Sequence, residues 1–190
     1  IYVLNNKVVV PDGVTLTIEP GTIIKGTSGT GSLASALVVA RGGKVLANGS
    51  ASQPIVFTST ADNITVGESN GTNVDQNDRG LWGGLIVLGY APSSFAGDVD
   101  ALQIEGIPAE DTWGLYGGND PNDNSGVYKY VSIRHGGALI GEGNEINGLT
   151  LGGVGAGTEI DNIEVVGNVD DGIEFFGGTV DASNLLVWAQ

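Results

Sequence analysis

The feature that most restricts this chain is a recurrence towards its end. Within Asn144–Gln190, Asn162-Ile163-Glu164-Val165 returns as Asn184-Leu185-Leu186-Val187, 22 positions later. In the same stretch Gly148-Leu149-Thr150-Leu151 lines up with Gly172-Ile173-Glu174-Phe175. Short apolar strands, Gly-rich corners and a period near 22 describe a chain wound into stacked coils, each burying its apolar side chains with the help of its neighbours.

Upstream the same alphabet recurs. Val8-Val9-Val10 is a β-branched run, Pro11-Asp12-Gly13 turns the chain, and Val14, Leu16 and Ile18 alternate with Thr15 and Thr17, the period of a strand with one buried face. Gly21-Thr22-Ile23-Ile24 aligns with Gly43-Lys44-Val45-Leu46 at the same spacing, which places Leu16 opposite Val38 across the polar loop 26–32. Further strands are expected at 54–58, 81–89 and 127–133. Val131 precedes Ile163 by 32 residues, so that coil should carry an insertion, placed around Gly141–Glu145. No window holds a helical stripe, because Gly interrupts each one.

Antiparallel hairpins compete with this reading, since Asn48-Gly49, Asn70-Gly71 and Asn147-Gly148 are hairpin-turn dipeptides. Hairpins do not make like residues recur in one direction at a fixed spacing; a parallel coil does, with partners about 4.8 Å apart. The expected fold is therefore all-β, a right-handed parallel β-helix of about 6 coils and about 29 Å. Residues 1–190 form a single β-helix domain with two long loop excursions, at 59–80 and 91–126. Asn162 over Asn184 reads either as a hydrogen-bonded amide ladder or as two residues tolerating a left-handed corner. The N-terminal strand is expected to cover one end of the coil. The absence of Met at position 1 and the unfinished strand Leu185–Gln190 suggest a fragment of a longer chain.

Charge narrows the partners. Lys and Arg number 7 against 22 Asp and Glu, a net charge of -15, which disfavours nucleic acid and anionic membrane. With no Cys there is no thiol or disulfide chemistry, and no run of about 20 apolar residues would insert in a membrane.

TLTIEPGTIIKG, GGKVLANGSASQPIVFTS, LWGGLIVLG and EINGLTLGGVGAGTEIDNIEVVGNVDDGIEFFGGT together resemble a family of bacterial surface or secreted proteins, common in Bacteroidetes and marine Gram-negatives and often labelled lipoproteins. The resemblance covers most of the chain outside the excursions. It implies a right-handed parallel β-helix of pectate-lyase-like architecture at the cell surface or outside the cell, and it carries no catalytic motif.

Several constellations bear on chemistry. A β-helix lyase needs a base, and Arg134-His135 follows a strand; His135 is the only His, and the positions stacked on Arg134 are Val166 and Trp188, so a corner pair is the competing reading. A β-helix glycosidase needs two or three carboxylates together, for which Asp170, Asp171 and Glu174 are the candidates, with an Asp-Asp-Gly turn as the alternative. Asn119, Asp120 and Asp123, and the similar run 73–78, offer oxygens suited to Ca²⁺, without the EF-hand spacing; solvated loops are the alternative. Trp82, Trp113, Tyr116 and Tyr128 offer aromatic faces for sugar rings. Trp82 is assigned to the shaft, and Trp113 and Tyr116, in the second excursion, are weighed between ligand binding and packing of the loop. Asn48, Asn63 and Asn70 stand in N-glycosylation patterns, read as accidental. Three functions follow: a non-enzymatic surface protein binding glycan or a partner protein through its loops, a polysaccharide-degrading enzyme centred on Asp171, or a structural shaft of a larger assembly.

Overall fold

The computed structural model describes residues 1–93, 101–141 and 144–189. The first coils contain β1 (Tyr2–Leu4), β2 (Lys7–Val10), β3 (Thr15–Ile18), β4 (Ile23–Gly26), β5 (Ala36–Val39) and β6 (Lys44–Asn48). Next come β7 (Ile55–Ser59), β8 (Leu85–Leu88), the short β9 (Leu102–Gln103) and β10 (Leu115–Tyr116), and the long β11 (Gly126–Arg134). The remainder holds β12 (Leu139–Gly141), β13 (Asn144–Glu145), β14 (Leu149–Gly152), β15 (Glu159–Val166), β16 (Ile173–Phe176) and β17 (Ala182–Trp188). Among the described residues the only helical pieces are two 3-10 turns, Gly31–Leu33 and Thr112–Gly114.

Apart from two small antiparallel pairs, β9 with β10 and β12 with β13, strands that follow one another in sequence do not pair; each pairs in parallel with its counterpart one coil away. One column runs β1-β4-β7-β11-β15-β17, and a second runs β16-β14-β8-β5-β2. A third joins β3, β6 and the first half of β11. This is a parallel β-helix, with Val131, Ile163 and Leu185 in register, Ile133, Val165 and Val187 beside them, and Leu149 against Ile173. The six strands of the first column match the expected number of coils.

Inward-facing residues of all three columns close one core, with Leu37, Val45, Ile55, Phe57, Leu85, Tyr128, Val131 and Leu149 at 0–1% exposure. Phe57 and Trp82 stack with ring planes 9° apart, and Trp82 Nε1 donates to the Arg134 carbonyl at 2.7 Å, which satisfies the one polar group of a fully buried indole.

The regular spacing of 22 fails in the first half. Leu16 pairs with Val45, not Val38, and Ile24 pairs with Tyr2 on one side and Phe57 on the other. The in-out alternation fixes which face each residue shows, and the corners absorb extra residues without disturbing it, so the period varies from coil to coil. The insertion expected around 141–145 is a small antiparallel hairpin of β12 with β13; its residues 142–143 lie outside the described set.

Both excursions are tied down more firmly than a projecting loop would be. In the first, Ile64 is fully buried with Ile23 and Val56. Asp62 is buried as well; its carboxylate accepts from Thr58 Oγ1 at 2.9 Å and from the Ile64 amide at 2.9 Å. In the second, β9 and β10 form an antiparallel pair, and Ile104, Ile107 and Tyr116 build a second core with Val38, Ile86 and Leu88 on the outside of the shaft. At the ends of the described shaft, β1 pairs along β4 and leaves Tyr2 at 69% exposure, so it extends the sheet rather than capping it, and β17 presents Leu185, Leu186 and Trp188. None of the helices in the described residues is long and apolar enough to cross a membrane.

Candidate functional site

The second excursion returns against the corner between β5 and β6, and a hollow of about 250 Å³ opens there, lined by Asp12, Arg41, Tyr90, Thr112, Trp113 and their neighbours. Each wall is fixed by the backbone. Arg41 follows β5; its Nη1 donates to the Gly117 carbonyl at 2.8 Å, and its guanidinium lies 4.9 Å from the centre of the Tyr90 ring. Tyr90 closes the corner after β8, where its carbonyl accepts from the Asp120 amide at 2.9 Å. Trp113 sits on the 3-10 turn at the tip of the excursion. The turn is held from behind by Gln103, whose Nε2 donates to the carbonyls of Ile107, Pro108 and Asp111. One indole and one phenol, half-buried on rigid supports, flank a cation with Asp12 at the rim. Such a surface takes the C–H face of a ring on its aromatics and hydroxyl groups on its polar edge.

Tyr116 does not join it. Its side chain is 3% exposed and meets Phe176 edge-on at 6.0 Å, so the packing alternative holds for Tyr116, while Trp113 keeps one face at the hollow. Trp82 and Tyr128 belong to the shaft core, and Tyr128 Oη donates to the Ser125 carbonyl; burial pushes its phenol far up. Phe95 lies outside the described residues.

Asp123 is buried where the second excursion rejoins the coil. Ser125 Oγ donates to its Oδ2 at 3.1 Å, and the amides of Tyr90 and Gly155 also donate to the carboxylate. Burial nevertheless raises its protonation range above the ordinary 3.8. Asp120 is exposed, and its Oδ1 accepts from the Asn122 amide, an ordinary turn contact. Among the described residues, no group of three or more His, Cys, Asp or Glu side chains comes together as a metal cage.

Asp170 and Asp171 stand on a corner whose carbonyls both accept from the buried Asn168 amide. Glu174, on β16, accepts from Asn147 Nδ2 at 2.7 Å. Its carboxyl is raised above the ordinary range chiefly by burial, opposed by that hydrogen bond, with Asp171, Glu105 and Asp170 adding to the rise. Glu174 thus lies in the field of Asp170 and Asp171, and Asn147, one coil below, adds no acid there but supplies its hydrogen bond.

Arg134 is not a loose corner residue either. Its Nε donates to Ser132, its Nη1 to Ser69 and Asn70, and its Nη2 faces Glu164 at 3.5 Å, fastening the first excursion to the shaft. Arg41 and Tyr90 also escaped sequence reasoning, although an Arg directly after a buried strand of so acidic a chain is a usable signal.

No curated protein and no solved structure matches the chain. The family model described as a pectate-lyase like β-helix domain matches residues 1–190, and with its three columns of parallel strands the chain belongs to that family.

Proposed function

We propose that this domain is a non-enzymatic β-helix of the bacterial cell surface or exterior, outer-membrane-attached or secreted, that binds glycan in the hollow beside Trp113. The single observation behind this reading is Trp113 presented on a braced turn across from Arg41 and Tyr90. A surface protein with an exposed sugar-bearing or hydroxyl-rich loop is the related partner. Calorimetric titration with neutral oligosaccharides of glucose, mannose, xylose and galactose tests it. Binding to one of them that Trp113→Ala weakens roughly tenfold, about 1.4 kcal/mol, is the expected result. Absence of binding across the panel, or binding of which Trp113→Ala weakens no component, contradicts it.

A second reading, a polysaccharide-degrading enzyme, is favoured by one observation: Glu174, its carboxyl raised chiefly by burial, lies within the field of Asp170 and Asp171, a grouping of carboxylates of the kind a glycosidase uses. Cleavage of any polysaccharide that Asp171→Asn or Glu174→Gln abolishes would establish it over the first. Ca²⁺ at Asn119, Asp120 and Asp123 belongs to the proposal only if the ion displaces the donors now on Asp123. A Ca²⁺-dependent rise in Tm that Asp120→Asn removes would support it.

A further inference from the structure

A second hollow, of about 290 Å³, lies on the other excursion, between residues 62–76 and the column Arg134, Val166, Trp188. Its most informative member is His135. The side chain is 4% exposed and the backbone is held at φ 61, a left-handed conformation that is uncommon for non-glycine residues but that His, like Asn and Asp, adopts more readily than most. Two backbone hydrogen bonds hold it there, from its amide to the Val166 carbonyl and from the Leu81 amide to its own carbonyl. Its Nδ1 lies 2.7 Å from the Asp78 carbonyl. A carbonyl only accepts, so Nδ1 carries the proton, and in the neutral form of the ring the lone pair is on Nε2.

No group among the described residues engages that Nε2, and it is not one of the buried side-chain atoms left without a partner, which are Asn147 Oδ1 and Asn168 Oδ1. It therefore retains an accessible edge at the hollow that His135 lines. The excursion that supplies Asp78 can approach because residue 167, stacked on His135, is a glycine at φ 64; a Cβ there would come about 3.0 Å from the Asp78 carbonyl and 3.1 Å from that of Gln76. Trp188, one coil beyond Val166 in the same column, lines the hollow as well. Arg134 and Glu164 line the floor with most of their hydrogen-bonding capacity directed at each other, Ser132 and the excursion, and Asn70 and Gln76 add amides at the rim.

We infer that this hollow is a binding site for a neutral pyranose ring, separate from the one beside Trp113. Trp188 takes the C–H face of the sugar. His135 Nε2 accepts a hydrogen bond from one hydroxyl, and the rim amides serve others. Hydroxyls both donate and accept, which suits a site that mixes amides, a carboxylate and an imidazole lone pair. A carboxylated sugar is disfavoured, because Glu164 and Asp75 face the same space in a protein of net charge -15. The volume sits near the lower end of small-molecule sites, roughly 300–1,000 Å³, so one ring is held rather than a long segment.

The chain has one histidine, so its imidazole nitrogens give unambiguous signals in a ¹⁵N spectrum. Methyl glycosides of glucose, galactose and mannose are titrated into the ¹⁵N-labelled protein. The expected result is the Nδ1–H form in the free protein and an upfield movement of Nε2 with at least one glycoside. Trp188→Ala should weaken that titration roughly tenfold, about 1.4 kcal/mol, while Trp113→Ala leaves it unchanged. His135→Asn is the companion variant: Asn tolerates the left-handed backbone and still donates to the Asp78 carbonyl, but it lacks Nε2, and calorimetry should show the same loss. An Nε2 signal that none of the three glycosides moves overturns the inference. So does a titration that survives Trp188→Ala, or one lost only in Trp113→Ala, which would leave the first hollow as the binding site.

Discussion

Asn162 and Asn184 stand at φ 56 and 53, one above the other, with Tyr130 at φ 49 beneath them. These are corners where the chain steps between two columns, and a left-handed residue makes the step. The two amides do not bond to each other. Asn162 Nδ2 donates to Asp161 Oδ2 at 2.8 Å and Asn184 Nδ2 to Asp161 Oδ1 at 2.7 Å. The amide ladder is thus replaced by a shared carboxylate, which Ser183 also bonds. These donors lower the Asp161 protonation range, the Ser183 bond foremost. Backbone conformation and not amide stacking should dominate at such a corner. Asn162→Val is expected to cost about 1–2 kcal/mol in urea unfolding, since a β-branched residue is strained there, and Asn162→Gly distinctly less. Equal losses would return the weight to the amide. The recurrence of Asn was legible in the sequence; the role of Asp161 was not, because an acid beside an Asn has no characteristic spacing.

The second excursion is the element on which function was placed, and Asp123 secures its return to the shaft. A Cβ at Gly89 would run into the Asp123 carboxylate, so the glycine leaves room for the acid to plug the corner. Asp123→Ala strands the Ser125 hydroxyl and the Tyr90 and Gly155 amides, and should cost about 1–3 kcal/mol. The pH dependence has a definite sign. The folded state holds the proton more tightly than the unfolded chain does, so stability from this group is full below the ordinary 3.8 and declines as pH rises through the raised folded value. Thermal unfolding across that window should therefore be flatter in Asp123→Ala than in the parent; an unchanged profile would show that the carboxyl titrates normally. Polar, aperiodic composition marked both excursions. Their anchoring by Ile64 and Tyr116 was hidden, since single apolar residues in a polar stretch leave no pattern to read. Hence Trp113 could be weighed as a ligand platform but its partners Arg41 and Tyr90, from distant corners, could not be joined to it.

At the scale of the whole molecule, both proposed sites depend on the parallel wind: each hollow is the gap between an excursion and a column of side chains contributed by successive coils. The in-out alternation and the recurrence near 22 made that wind readable in the second half. In the first half the even spacing of 22 points to the wrong partner strands, since the corners there differ in length and β3 pairs with β6 and β4 with β7. The most direct measurement is cross-linking by paired cysteines, introduced into a chain that has none. Thr15 pairs with Lys44 and Thr17 with Leu46 when β3 and β6 run in the same direction. Oxidation should then close an intramolecular disulfide in Thr15→Cys/Lys44→Cys and in Thr17→Cys/Leu46→Cys. It should fail in Thr15→Cys/Asn48→Cys, where the partners would be about 13 Å apart along the strand, beyond the reach of a disulfide. Bridging at 15 and 48 with none at 15 and 44 would mean that the strands run in opposite directions, and it would contradict the stacked coil.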